Sequence, residues 1–195
     1  MKATVPALSP LLRSNAQGDI LALLFMNEGQ EYSLADISRR VGALPATVHR
    51  EVERLVASRT LSDRMVGRSR MVRANRNDRM YLPLFDLLLL SYGPKAVLQP
   101  LLAHVPGLER ALIYGSWAAR YSGEVGPPPQ DVDVLAIGTT PRDRLEQIAR
   151  EAQLLLRREV NVNRVSAEEW QNGVQPFVAT IRSRPFVDLD HKGAE

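Results

Sequence analysis

Two carboxylates stand one residue apart, Asp131 and Asp133, in the run DVDVLAIG. Strand side chains alternate, so both acids point to one face. The intervening Val132, Val134 and Ala136, with Ile137, place that strand in a core rather than on a solvated edge. Two like charges side by side repel unless something bridges them. Mg²⁺ is the natural bridge, because it accepts a pair of carboxylates together with substrate phosphates. Two such ions could clamp the entering and leaving oxygens of a phosphoryl transfer. Upstream, the apolar run ALIY (111–114) leads directly into Gly115-Ser116 and then WAAR. A strand that passes through Gly-Ser into a helix start turns backbone N–H groups and a hydroxyl toward one spot, which suits phosphate.

Those groups need elements to hold them. Helical spacing over 142–157 puts Leu145, Ile148, Ala152 and Leu155/Leu156 inward, and REVNVNRVS follows as another strand. On it Asn161 and Glu159 share a parity. SAEEW (166–170) opens a further helix by a capping pattern, and 177–187 supplies a last helix and strand.

The first half carries a different chemistry. Net charge is +5 over residues 1–80 and −2 over 81–195, and the cations are mostly Arg, with Lys only at 2, 95 and 192. Arg suits forked contacts to phosphate and guanine, although a high-GC genome would also enrich it. DILALLF (19–25) reads as a buried helix beginning near Ser14. Ser33 caps a second short helix with Leu34, Ile37 and Val41 on one face; Gly42 ends it and Pro45 opens a third. There Val48, Val52, Leu55 and Val56 form the apolar stripe, while Thr47, Arg50, Glu51 and Arg54 face elsewhere. Two short helices around a tight turn form a helix-turn-helix, whose second helix would enter the major groove with Thr47, His49, Arg50 and Arg54 near bases or phosphates. Then 61–74 alternates on both sides of Gly67 as a hairpin. Six Arg (64, 68, 70, 73, 76 and 79) fall between 64 and 79, opposed inside that window only by Asp78. Placed after a recognition-type helix, Arg64, Arg68, Arg70 and Arg73 would track phosphates or reach into the minor groove of double-stranded DNA.

The order of elements over roughly 12–76, carried by PATVHREVERLVASRTLSDRMVGRSRMVRAN, resembles the ArsR-like winged-helix regulators. The resemblance implies a homodimer that reads two half-sites. Metal sensing of the ArsR type is set aside, since the chain has no Cys and only three His. IYGSWAAR followed by PQDVDVLAIG resembles the nucleotidyltransferase superfamily that includes DNA polymerase beta and the kanamycin nucleotidyltransferases, closest to its minimal domain, over about 108–165. That resemblance implies that Gly115, Ser116 and Arg120 hold a nucleoside triphosphate and that Asp131 and Asp133 bind Mg²⁺. The chain departs from it in three places. The spacer is long and holds Pro127-Pro128-Pro129, Tyr121 stands where Gly is common, and the third carboxylate that active members carry aligns with Asn161, with Glu159 two residues early. An amide has no charge and cannot act as a base. The whole arrangement also resembles prokaryotic proteins that fuse an ArsR-like winged helix to this domain and are described as transcriptional regulators.

The expected fold is therefore mixed α/β (α+β). It comprises a winged helix-turn-helix over 1–80, a helical connector over 81–106 that contains the apolar YLPLFDLLLL, and a nucleotidyltransferase-like mixed sheet flanked by helices over 107–195. Residues 1–8 and 190–195 are expected to fray. No apolar run is long enough for a membrane span and no signal-peptide pattern opens the chain, so a cytoplasmic protein is expected. The expected function is a DNA-binding regulator whose second domain binds nucleotide or metal, or serves as a structural and dimerising module. The alternative is an active Mg²⁺-dependent transferase that nucleotidylates a protein or small molecule, with Glu159 completing its site. A third reading is an antitoxin that binds a partner toxin and represses its own operon.

Overall fold

The computed structural model describes residues 6–124 and 129–189. The expected frayed ends at 1–5 and 190–195, and Pro127 and Pro128 of the spacer, lie outside them. Leu8, by contrast, is buried in the first core. The fold is mixed α/β with a three-stranded and a four-stranded sheet, and the chain divides into two compact units, 1–93 and 94–195.

In the first unit a 3₁₀ turn (Ser9–Leu11) precedes α1 (Asn15–Met26). Ser14 starts α1 by accepting the Gln17 N–H, which satisfies one of the donors a helix leaves open at its first turn. Ile20, Leu21, Leu24 and Phe25 of α1 fill the core. β1 (Tyr32–Ser33) leads into α2 (Leu34–Val41), capped by Ser33 and closed by left-handed Gly42. α3 (Pro45–Ala57) has proline in its first turn, where the missing N–H costs nothing. β2 (Leu61–Val66) and β3 (Ser69–Ala74) pair antiparallel with Val66 opposite Ser69. The connecting loop is thus Gly67-Arg68, and Gly67 at φ +59° supplies the conformation such a two-residue turn needs at its first position. β3 also pairs with β1, giving the order β1-β3-β2. α4 (Tyr81–Tyr92) packs on α1, with Tyr81 stacked against Phe25 at 5.1 Å between ring centres. Segment 81–106 is therefore two helices, α4 grouped with the first unit and α5 (Pro94–Leu102) with the second.

In the second unit β4 (Leu108–Tyr114), α6 (Ser116–Tyr121), β5 (Asp131–Gly138), α7 (Arg142–Leu156), β6 (Glu159–Val165), α8 (Ala167–Asn172), α9 (Pro176–Arg182) and β7 (Val187–Asp188) follow α5. The sheet order is β6-β5-β4-β7, with β5 antiparallel to β4 and parallel to β6. A parallel pair needs a long crossover, and α7 provides it. Leu145, Ile148 and Ala152 of α7 are buried as expected, but Leu155 is exposed because the helix ends one residue later, before left-handed Arg157. One face of the sheet is apolar at one end only. There Leu112, Leu135, Ile137 and Val165 pack with Val178 and Ile181 of α9. Arg110 pins the same end, doubly bonded to Asp188 at 2.6 and 2.7 Å and lying over the Trp170 and Phe186 rings. The other end of that face is polar and carries the acids. No helix among the described residues is long and apolar enough to cross a membrane.

Candidate functional site

Each unit presents one cluster of chemistry. In the first, Val48, Val52 and Leu55 turn α3 inward and leave His49, Arg50, Glu53 and Arg54 exposed, with Thr47 half-buried. Glu51, expected to face away from the stripe, is instead 6% exposed. It lies three residues after Val48, on the edge of the buried face. One of its oxygens accepts from Arg54 at 3.0 Å and Oε2 has no hydrogen-bond partner. Arg54 is thus committed in part to its own helix.

The hairpin is less free in charge than its arginine count suggests. β1 brings Glu31 beside Arg64, which grips it with three bonds of 2.6 to 3.0 Å, and Arg73 lies 3.5 Å from the same carboxylate. Those bonds hold the Glu31 carboxyl below its ordinary range. Arg70 is bonded to Asp63 and to Glu53 of α3, and Arg76 pairs with Glu28 at 2.7 Å. Arg68 occupies the hairpin turn, exposed, between exposed Met65 and Val66 and the solvent. Among the described residues, the side chains of Arg50 and Arg68, like that of Arg79, make no hydrogen bond, ion pair or ring contact. His49 comes within 3.9 Å of Glu53. The six candidate arginines therefore divide in two: Arg50 and Arg68 are uncommitted, whereas Arg54, Arg64, Arg70 and Arg73 are held by acids.

In the second unit the ladder fixes the acidic end of the sheet. Asp131 and Asp133 project from one face of β5. Across the parallel pairing Glu159 stands opposite Asp131 and Asn161 opposite Asp133; across the antiparallel pairing Tyr114 also faces Asp133. Asn161 Nδ2 donates to Asp131 Oδ2 at 3.1 Å and, more weakly, to Asp133 Oδ1 at 3.4 Å. Burial pushes the Asp133 carboxyl above its ordinary range, the Asp131 charge adds to that, the Asn161 amide opposes it, and Glu159 contributes a smaller push. Burial likewise raises Tyr114, whose hydroxyl accepts from Asn163 at 2.9 Å. Neither Tyr114 nor Asn163 was a candidate from sequence, although Asn163 repeats the parity of Asn161. Phe177 meets Tyr114 edge to face at 5.8 Å.

Gly115 follows Tyr114 with φ +71° and opens α6. A side chain there would set its Cβ 3.0 Å from Asp133 Oδ2, so both conformation and space call for glycine. Gly115 and Ser116 are exposed at the start of α6. Arg120 lies in the last turn and donates to the Glu124 carbonyl at 3.3 Å. Tyr121 is buried, which pushes its hydroxyl up to about 12, and that hydroxyl accepts the Lys95 N–H at 3.0 Å, tying α6 to the start of α5.

No family model matches the chain, and no curated protein matches it. Among solved structures, one similar chain is BpsR of Bordetella bronchiseptica, whose DNA binding is regulated by 6-hydroxynicotinic acid. It shares 21% identity over 45% of this chain and 67% of that one, with a TM-score of 0.31. A likeness of that extent fixes neither fold nor ligand.

The donor set itself says what the acidic end could hold. Two carboxylates and an exposed Gly-Ser turn suit a triphosphate that brings its own cation. They do not fit a resident three-carboxylate centre. Asn161 turns an N–H toward both acids, and among the described residues no three His, Cys, Asp or Glu side chains gather as metal ligands.

Proposed function

We propose that this protein is a DNA-binding transcriptional regulator whose second unit is a nucleotidyltransferase-like domain that holds a nucleotide without transferring it. The observation that carries the reading is the pair of uncommitted cations, Arg50 on α3 and Arg68 on the hairpin turn. They belong to the same small unit, in which every other basic candidate is held by an acid. A helix-turn-helix uses the start of its second helix in the major groove, where Thr47 and His49 would accompany Arg50. The hairpin would lie along the backbone with Arg68 at a phosphate or in the minor groove. A homodimer reading two half-sites belongs to the same proposal.

In the second unit Gly115, Ser116 and Arg120 would receive the triphosphate, and Mg²⁺ would arrive on it. Such a ligand regulates DNA binding only by favouring one arrangement of the protein over another. The test is fluorescence anisotropy with labelled duplex DNA at several salt concentrations. Binding should weaken by orders of magnitude between about 50 and 200 mM salt, as counterion release requires. Absence of salt-sensitive binding would sink the regulator reading.

One observation favours the enzyme alternative: Glu159 stands directly opposite Asp131. An active Mg²⁺-dependent transferase would move label from an α-labelled nucleoside triphosphate to a protein or small molecule in extract, and Asp131→Ala would abolish the transfer.

A further inference from the structure

Asp131, Asp133 and Asn161 form a closed arrangement that the transferase likeness does not explain. An ionised carboxylate only accepts hydrogen bonds, whereas an amide offers two N–H donors on one side and a carbonyl oxygen on the other. Facing two carboxylates, the amide must present its nitrogen, as it does at 3.1 and 3.4 Å. The carbonyl oxygen, the one atom of Asn161 able to ligate a cation, is then turned from both acids. The ladder that sets Asn161 opposite Asp133 fixes this proximity through the backbone.

Two acids on one partly buried sheet face need compensation. A divalent cation supplies it by charge; a bridging N–H supplies it by hydrogen bonding, at no net charge. We infer that Asn161 stands in for the divalent cation: its amide holds Asp131 and Asp133 together, the free protein does not load Mg²⁺ or Mn²⁺ at this centre, and this one side chain decides that outcome. The inference rests on the proposed transferase-like reading of the second unit and is independent of DNA binding. Replacing the donor by an acceptor removes the bridge and adds a ligand in one step, which makes Asn161→Asp the informative change.

The test uses the full chain, stripped of metal and titrated with Mn²⁺ alone by calorimetry, alongside thermal unfolding with and without Mn²⁺. Wild type should show no saturable uptake in the millimolar range and an unchanged midpoint. Asn161→Asp should bind one Mn²⁺ at least about tenfold more tightly, with a raised midpoint. Saturable uptake by wild type that disappears in Asp131→Asn would overturn the inference, as would a folded Asn161→Asp protein with no gain. Should that variant fail to fold, Asn161→Ala removes the bridge without adding charge. Its midpoint should fall in chelator and recover with Mn²⁺, and no recovery would equally overturn the inference. Duplex binding by wild type is measured separately, so its loss would remove the regulator reading and leave the metal result standing.

Discussion

The two units handle charge in opposite ways. On and just after the hairpin of the first, opposite charges are paired: Glu31 takes Arg64 and Arg73, Asp63 and Glu53 take Arg70, Glu28 takes Arg76. At the acidic end of the second, like charges are packed together and a neutral amide bridges them. Pairing on an exposed surface costs little and contributes little. Its consequence is selective, because among the candidate arginines it withdraws Arg54, Arg64, Arg70 and Arg73 from the field that DNA would meet and leaves Arg50 and Arg68. Crowding carboxylates on a half-buried face is unfavourable in itself and persists only where the surrounding backbone enforces it. The first unit looks arranged for a ligand from outside, the second for a constraint kept within.

The sharpest way to break the second half of this contrast is at Gly115. A β-branched side chain at φ +71°, with its Cβ 3.0 Å from Asp133 Oδ2, combines backbone strain with displacement of an acid. Gly115→Val should cost about 2–3 kcal/mol, read by calorimetric unfolding. A cost near zero would mean that the turn does not press on the carboxylate. The first half is broken by comparing arginines. Arg68→Ala and Arg50→Ala should each weaken duplex binding by about tenfold and reduce the salt slope by roughly one phosphate contact. Arg64→Ala should weaken it by less than about threefold, because Glu31 already neutralises that cation. Equal losses in all three would dissolve the distinction between free and paired arginines.

Much of this architecture was legible because single residues announce it. Ser14 and Ser33 start helices, Gly42 ends one and Pro45 begins the next. Gly67 marks the hairpin turn, and the alternation of DVDVLAIG fixes both strand and parity. The resemblance aligned Asn161 with the third carboxylate, and its pairing with Asp133 emerged only with the sheet register. What escaped depended on partners distant in sequence. Glu31 meets the hairpin because β1 joins its sheet, and a two-residue strand has no alternation to read. Glu51 was put on the wrong face because its charge argued for solvent, while its spacing from Val48 put it at the margin of the core. The Tyr114–Asn163 bond joins two strands that are not neighbours in the sheet order, which no local pattern reveals.

A smaller effect sharpens the picture of the acidic end. Asp133 has its pKa raised by burial and by Asp131. A group raised in the folded state contributes stability below its unfolded value, and that contribution is lost as pH rises through the folded value. At neutral pH the ionised Asp133 therefore weighs against the fold. Asp133→Asn should raise the thermal midpoint there, and the gain should shrink toward zero as the pH falls into the carboxylate range and wild type takes up its proton. A gain independent of pH would point to packing rather than charge.

The smallest expected effect asks what the hairpin pairing is for. Glu31→Gln keeps the shape of the side chain and removes its charge, releasing Arg64 and Arg73 from an ion pair. If pairing merely withdraws arginines from DNA, duplex affinity at low salt should rise about twofold to threefold, and the gain should fade as salt screens the exposed charges. Unfolding should hardly change. A fall in affinity would reverse the interpretation, since Glu31 would then be holding two guanidinium groups in the geometry that DNA requires. The salt slope separates these outcomes even when the affinity change is small. Released arginines add phosphate contacts and steepen it, whereas arginines that have lost their orientation make it shallower.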